Sequence, residues 1–576
     1  MSKPQALIFD VFGTVVDWRS GVAAEAGRFL AGKGIDLDPF AFADAWRGEY
    51  QPTMERVRSG GRGYVALDIL HRENLDLVLE RFGLSGLFSD EEKAEFNRAW
   101  EKLPPWPDSA PGLTRLKQNG VSFDNAFTNA CMCSPSRATM FTGLYPAQHG
   151  VKYTLEEDMP ADQYPQVELS TDLTNLATVM SAAGYEVVYK GKWHCSKPAG
   201  EDWAPSDLGD YGFTRWDPPD SGGNQDLSEA GGGTVDHDGH YMHDDGDVDA
   251  GQEGVIAFLN ARADAEKPWC LVVGLVNPHD VLFYPGPRTM DPPKWQQAGY
   301  DESYLEGDIG LPATYDEDLR TKPAAQAQFA RLYGAGGKPV TREQKLAYVN
   351  FYGNLMKVVD GYLVEILDTL EANGQLDDTV VIRTSDHGEM GLAHRMQQKN
   401  FNFYEESTRI PLVYSNPQLF DGPRSSRQLV SHIDLLPTLA TLVEAPDDVR
   451  SDDWKGVDYS GLVLGTETSA VQDDILFTYD DWQAGQSSGP YIRPPNHIVA
   501  IRERRWKVAK YYDPAGVEPV QWEMYDIVKD PLERHNLAHR PAQMTGIQRL
   551  TFARLKRRIK QAEGSDLLPL DHGSGG

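Results

Sequence analysis

The sequence predicts an α/β protein. Its mainly parallel central sheet is covered by helices on both faces, preceded by an N-terminal strand plus helical lobe and followed by a small C-terminal α+β subdomain. Three observations predict it. Short apolar runs alternate with stretches of helical periodicity, the pattern of a parallel sheet with crossover helices. The runs at Ala6–Phe9 and Thr379–Thr384 lead directly into acids, Asp10 and Asp386, as buried strands do where they deliver a side chain at their C-terminal tips. Beyond residue 465 the alternation gives way to a group of strands and one terminal helix. The expected divisions are 1–116, 117–465 and 466–576.

The elements follow in order. Ala6-Leu7-Ile8-Phe9 is a buried strand ending at Asp10, with Gly13 soon after. Gly21 to Lys102 is mostly helical, with Leu67, Leu70, Leu77 and Val78 on one face and Gly60, Gly61 and Gly83 as punctuation. Pro104, Pro105, Pro107 and Pro111 then break the chain. Leu113 opens a short helix that Gly120 closes, and Val121 to Phe127 is extended. Ser134 is expected to cap a helix with Pro135 at its first position. Helices are expected over Leu173–Ala183, Val255–Ala263 and Leu346–Ala372, and strands over Glu186–Lys190, Trp269–Val276 and Thr379–Thr384. The tail reads as strands Ile475–Tyr479, His497–Ala509 and Gln521–Asp526, then a helix from Met544 to Glu563. Asp217 to Gly254 is rich in Gly and Asp and is expected to be a solvated loop. Its Asp236, His237, Asp238, His240, His243 and Asp244 match no EF-hand or HExxH spacing.

Composition narrows the function. Asp and Glu number 86 against 55 Lys and Arg, for a net charge of −31. Such a surface does not bind nucleic acid through general basicity, and an anionic substrate would need a local cationic pocket. Four cysteines in 576 residues are no disulfide framework, and Cys131 and Cys133 stand too close to staple anything. Met1 to Asp10 lacks a basic region followed by an apolar one, so no signal peptide is expected, and no apolar run spans a bilayer. The expected compartment is the cytoplasm.

The chemistry is concentrated in ordered segments. Cys133-Ser134-Pro135-Ser136-Arg137 is followed by Thr142-Gly143-Leu144-Tyr145-Pro146, Gly191-Lys192-Trp193-His194 and Asn277-Pro278-His279-Asp280. Ser385-Asp386-His387-Gly388-Glu389 comes next, then Lys399 ahead of Tyr404-Glu405-Glu406-Ser407, and last Met524-Tyr525-Asp526 with Asp530-Pro531-Leu532-Glu533. Arg137 stands four residues after Cys133 and so shares its helix face. The segment 117–540 resembles the sulfatases, formylglycine-dependent enzymes of the alkaline-phosphatase-like superfamily. The resemblance implies that a formylglycine-generating enzyme oxidises Cys133 to an aldehyde, whose hydrate attacks the sulfur of a small sulfate monoester and then expels sulfate. It also implies one calcium ion with Asp386, His387 and the oxygen made from Cys133 as ligands. By the same resemblance Arg137 holds the hydrate, His194 steadies its protons, Lys192 and Lys399 stabilise sulfate charge, and His279 protonates the leaving oxygen.

The front of the chain differs. Asp10-Val11-Phe12-Gly13-Thr14, Val15-Val16-Asp17-Trp18 and the helical stretch with Arg47 and Tyr50 resemble type II haloacid dehalogenases over about 5–116. In that family Asp10 would be the nucleophile. Sulfatases place a strand ending in adjacent acids before a helix like Pro111-Gly112-Leu113-Thr114-Arg115-Leu116, and no such acidic pair precedes it here. Asp10 is therefore expected to stand in as a metal ligand, with Asp17 a more distant candidate. The alternatives to a sulfatase are a phosphonate monoester or phosphodiester hydrolase with the same nucleophile, a 2-haloacid dehalogenase using Asp10, and an inactive fusion protein. No code for the alcohol of the substrate, or for the oligomeric state, is legible.

Overall fold

The computed structural model describes residues 18–35, 37–50, 52–53, 56, 67–97, 110–156, 166–221, 230–232, 236–263, 265, 267–286, 291–332, 338–486 and 490–570. The chain forms two compact units, Met1–Pro111 and Gly112–Gly576. The expected strand at Ala6–Phe9, with Asp10 and Asp17, lies outside the described residues.

The first unit is helical where it is described: α1 (Trp18–Ala31), α2 (Pro39–Gly48), α3 (Leu67–Arg81) and α4 (Asp90–Asn97). Asp38 caps α2 by accepting from Phe40 N, and Pro39 sits at its first position. Phe42, Trp46, Val78, Leu79 and Phe96 make its core. Of the apolar face expected on α3, Leu70 and Val78 are buried but Leu77 is exposed.

The second unit begins with α5 (Pro111–Gln118) and β1 (Gly120–Phe127), followed by α6 (Cys133–Thr142), α7 (Leu176–Ala182), β2 (Glu186–Gly191), α8 (His237–His243), α9 (Val255–Ala261) and β3 (Trp269–Gly274). Then come α10 (Arg342–Ala372), β4 (Val381–Thr384), β5 (Leu412–Ser415), β6 (Arg424–Ser431) and α11 (Leu435–Leu442). One sheet has the order β4-β5-β1-β6, while β2 and β3 pair separately in parallel. β5 illustrates the two-residue period of a strand buried on both sides. Leu412 and Tyr414 face a core shared with α6 and α11, whereas Val413 faces Leu116 of α5 and Leu363 and Leu367 of α10.

The expectation of a mainly parallel sheet needs correction: the sheet is mixed. β1 and β6 are parallel, but β5 runs antiparallel to both β1 and β4. The reason is local. Thr384, the last residue of β4, pairs with Leu412, the first of β5. The chain leaves and returns at the same end of the sheet, with no crossover helix to carry it to the other end. That excursion, 385–411, bears much of the site described below.

The C-terminal part forms an antiparallel sheet, β7 (Asp474–Tyr479), β8 (His497–Glu503), β9 (Trp506–Tyr512) and β10 (Gln521–Asp526), in the order β10-β9-β8-β7. α12 (Gly546–Gly564) packs Leu555 and Ile559 against Val499, Ile501 and Val508. The single strand expected over His497–Ala509 is a hairpin, because the chain turns at Arg504-Arg505. No described helix is long and apolar enough to cross a membrane.

Candidate functional site

β1 and β4 run in one direction, both opposed to β5, so their C-terminal ends deliver side chains to one edge of the sheet, the usual place for an α/β site. β1 leads through Thr128 into α6. That helix starts at Cys133 with Met132 as N-cap, which corrects the expected cap at Ser134. Ser134 already lies in the first turn, and its hydroxyl accepts from Leu155 N at 3.0 Å. β2 leads into Lys192 and His194, β3 into His279, and β4 into Asp386 and His387.

Cys133 is 4% exposed at the helix N-terminus, and its Sγ lies 3.3 Å from His387 Nε2. Burial alone would raise the thiol pKa. Lys192, Lys399 and His387 outweigh burial and hold it well below its ordinary range. Burial opposes ionisation of Asp386 too, but His387 and Arg137 keep its carboxyl below the usual value. Burial disfavours the His387 imidazolium, yet Asp386 and Cys133 raise its pKa. His387 Nδ1 donates to Gly388 O at 2.8 Å, which aims Nε2 at residue 133.

Arg137 is anchored in the wall. Its Nε donates to Trp193 O at 2.9 Å and Nη2 to Tyr189 Oη at 2.8 Å, with a further bond to Lys192 O. Its Nη1 stands 3.7 Å from Asp386 Oδ2. Lys192 and Lys399 are buried, 3% and 7% exposed, and Lys399 Nζ donates to Gln398 Oε1 at 3.3 Å. His194 adopts φ 55°, a left-handed conformation uncommon outside glycine, and donates from Nε2 to Leu155 O at 2.6 Å. Its buried Nδ1 has no hydrogen-bond partner in the free protein. His279 is pushed down to about 4 by burial and by Lys192 and Lys399, so its ring is neutral at pH 7 until an anion offsets the lysines.

The six residues expected to be catalytic therefore converge with Asp386 and His387 at one place. Asp10 lies outside the described residues. The donor set also fits a cation. Ligand atoms of Cys133, Asp386 and His387 lie within 4.8 Å of one another. Asp386 Oδ2 is 3.7 Å from both Arg137 and His387, beyond hydrogen-bonding distance of either. A half-buried carboxylate oxygen held in that way is suited to a hard divalent ion.

Several supporting residues were not legible in the sequence. Asp220 accepts from the backbone of Trp193 at 2.7 Å and of His194 at 2.6 Å, which fixes the strained turn. Glu389 Oε1 accepts from Tyr348 Oη at 2.8 Å and Gln398 N at 2.7 Å, which tethers the approach to Lys399. His432 touches Ser136 Oγ at 3.2 Å and Ser385 O at 2.9 Å, and so joins α6 to the end of β4. Asp280 lies behind His279, its Oδ1 3.7 Å from Nδ1, while Oδ2 accepts from Tyr300 Oη at 2.5 Å. Asp220 and His432 stand outside the ordered segments; Asp280 and Glu389 stand within them, but nothing in the sequence shows these contacts.

The segment expected to be a solvated loop is partly structural. Asp238 is fully buried and accepts from Val276 N at 2.6 Å and Asn277 N at 3.0 Å, holding the turn that carries His279. Asp238→Ala leaves two buried donors unpaired. It is expected to cost on the order of 2–4 kcal/mol in chemical unfolding and to lower activity through His279. Asp217, His240 and Asp244 form a second group, with His240 Nδ1 2.7 Å from Asp244 and Nε2 3.2 Å from Asp217. The hydrogen bond to Asp217, opposed by burial and aided by both carboxylates, raises His240 from 6.5 to about 9. The stability this imidazolium adds is complete below pH 6.5 and lost as pH rises through about 9. The difference in Tm between the wild type and His240→Gln should shrink across that interval.

Comparison with known proteins agrees with this geometry. The Sulfatase family model matches residues 102–445, and the model for the C-terminal part of N-sulphoglucosamine sulphohydrolase matches 392–562. The chain is 27% identical over 447 residues to choline-sulfatase of Rhizobium meliloti (strain 1021), covering 75% of this chain and 78% of that one. It is 24% identical to N-acetylglucosamine-6-O-sulfatase of Bacteroides thetaiotaomicron, covering 74% and 78%. In fold it is similar to a 2-O GAG sulfatase (TM-score 0.58, 21% identity, 79% and 88% covered). It is also similar to phosphonate monoester hydrolase of Agrobacterium radiobacter (TM-score 0.54, 22% identity, 79% and 91% covered). These matches give no support to the dehalogenase resemblance read from residues 5–116. The Sulfatase model matches more than half of the chain, a span that includes Cys133, Lys192, His279 and Asp386, and the chain belongs to the sulfatase family.

Proposed function

We propose that Cys133 is converted to formylglycine by a formylglycine-generating enzyme. The converted chain then hydrolyses the sulfate monoester of a small alcohol or sugar, with one calcium ion held by Asp386, His387 and the oxygen of residue 133. The observation that carries this reading is the convergence of two buried lysines and His387 on one buried cysteine at a helix N-terminus. The names of the curated relatives, choline-sulfatase and N-acetylglucosamine-6-O-sulfatase, support the choice of ester.

In the structure, Sγ of Cys133 marks where the aldehyde oxygen would sit. The hydrated aldehyde supplies two hydroxyls on one carbon, one to take up sulfate and one to release it. Calcium, when bound, supplies charge that acidifies a hydroxyl and neutralises sulfate oxygens. The side chains do the rest. Arg137, fixed by three hydrogen bonds, holds the residue-133 oxygen without reorganising. Lys192 and Lys399 sit in a buried wall where their charge is weakly screened, and face the sulfate oxygens. His194 offers its unpartnered Nδ1 to a proton of the hydrate. His279 is neutral in the free site; the charge of a bound sulfate offsets the lysines, raises its proton affinity and fits it to protonate the leaving oxygen.

The test is turnover of an aryl sulfate against an aryl phosphonate by calcium-loaded, converted protein. Faster sulfate release supports the reading. Faster phosphonate cleavage would replace it with the phosphonate hydrolase alternative.

A further inference from the structure

A cavity of about 180 Å³ lies beside the excursion that carries Lys399, lined by Tyr315, Phe329, Lys338, Lys345, Arg395 and Gln397 among others. Three cations thus converge on one hollow in a protein of net charge −31. Among the described residues none of the three has a carboxylate within 4.0 Å. Asp318, whose charge is felt from Arg395, is already paired with Arg320 at 2.5 Å. Lys345 Nζ lies 5.6 Å over the Tyr315 ring, and Lys338 donates to Ala330 O. Arg395 is held at φ 62°, within a run of non-glycine residues with positive φ that includes Leu392, His394, Gln398 and Phe401. Such strain is maintained where the surroundings over-determine a position.

Like charges brought together without a counter-charge repel. Burial, followed by the fields of Arg395 and Lys345, lowers the Lys338 pKa. An anion in the cavity would relieve that repulsion, and Lys and Arg are the side chains that bind oxyanions through charge-assisted hydrogen bonds. Gln397 lines the cavity, and the next residue, Gln398, holds Lys399 Nζ, so an occupant would adjoin the segment that carries a catalytic lysine.

We propose that this cavity is a second oxyanion site, distinct from the cluster of side chains around Cys133, that takes a carboxylate or sulfate group. Two sources share that chemistry: an acidic substituent on the substrate alcohol, and free inorganic sulfate.

Calorimetric titration of the full chain with inorganic sulfate tests the site without any need for turnover. Two sulfates per chain are expected. Lys345→Ala and Arg395→Asn, the latter chosen because Asn tolerates positive φ, should each weaken one of them roughly 10- to 100-fold and leave the other, which Lys192→Ala removes. Unchanged sulfate binding in both variants would overturn the proposal. The source is decided by kinetics, an arm that rests on the sulfatase reading. If the substrate carries the anion, KM for a carboxylated aryl sulfate lies below that of the uncharged ester and rises in both variants, with kcat held. If free sulfate is the occupant, the two esters keep equal KM values in all three proteins while the calorimetric loss persists. Absence of turnover would count against the sulfatase reading alone.

Discussion

Cys133→Ala is expected to lower sulfate ester turnover by about 10⁴-fold or more while leaving the fold intact. The size of the effect follows from what surrounds the residue. Two buried lysines and an imidazole act on one atom, and in the proposed mechanism the atom at that position forms the bond to sulfur. In the proposed mechanism their charges stabilise a reacting oxygen at residue 133, so removing the atom leaves nothing for them to stabilise. The fold should survive. The cysteine is the first residue of α6, and the helix rests on Ala138 and Phe141 in the core rather than on the thiol. Initial rates for sulfate release, with circular dichroism and Tm alongside, check both parts. A variant that kept a tenth of wild-type turnover would remove Cys133 from the chemistry.

Asp386→Ala is expected to lose the calcium ion and to cut turnover on the order of 10³-fold, since a metal ion at such a site contributes several kcal/mol of charge stabilisation. Asp386 is the carboxylate of the candidate ligand group with Cys133 and His387. Its loss also frees the Arg137 charge, but three other acceptors hold that side chain: Trp193 O, Tyr189 Oη and Lys192 O. The wall of the site should therefore keep its shape. Metal content of the purified protein after dialysis against calcium gives the direct reading. About one ion per chain in the wild type and none in the variant is expected. Equal calcium in both would move the metal elsewhere.

What the sequence revealed and what it hid have physical causes. Cys133, Arg137, Lys192, His194, His279, Asp386, His387 and Lys399 could be picked out because they stand in short segments that arrive in the order of the sulfatase pattern they resemble. Their partners could not. Asp220, Asp238 and Glu389 act by accepting backbone N–H groups from segments far along the chain or across a turn, and the identity of an acid carries no sign of that. Among the elements, β6 escaped notice because its first half, Arg424-Ser425-Ser426-Arg427, is polar and partly exposed. β5 is only four residues long. Its direction, which makes the sheet mixed, depends on a pairing that no local pattern encodes. α10 begins at Arg342 rather than Leu346 because a Thr341–Gln344 capping box starts it on a polar turn. Leu77 matched the helical period but faces solvent, since apolar spacing alone does not decide which face a helix buries.

In the proposed mechanism sulfate ester hydrolysis runs through an oxidised residue 133. Mass spectrometry of the peptide containing that residue measures the converted fraction in protein made with different amounts of a formylglycine-generating enzyme. Turnover of an aryl sulfate is then measured on the same calcium-loaded samples. Turnover is expected to rise in proportion to the fraction converted and to vanish with it. Full turnover from protein whose Cys133 is entirely thiol would contradict that mechanism.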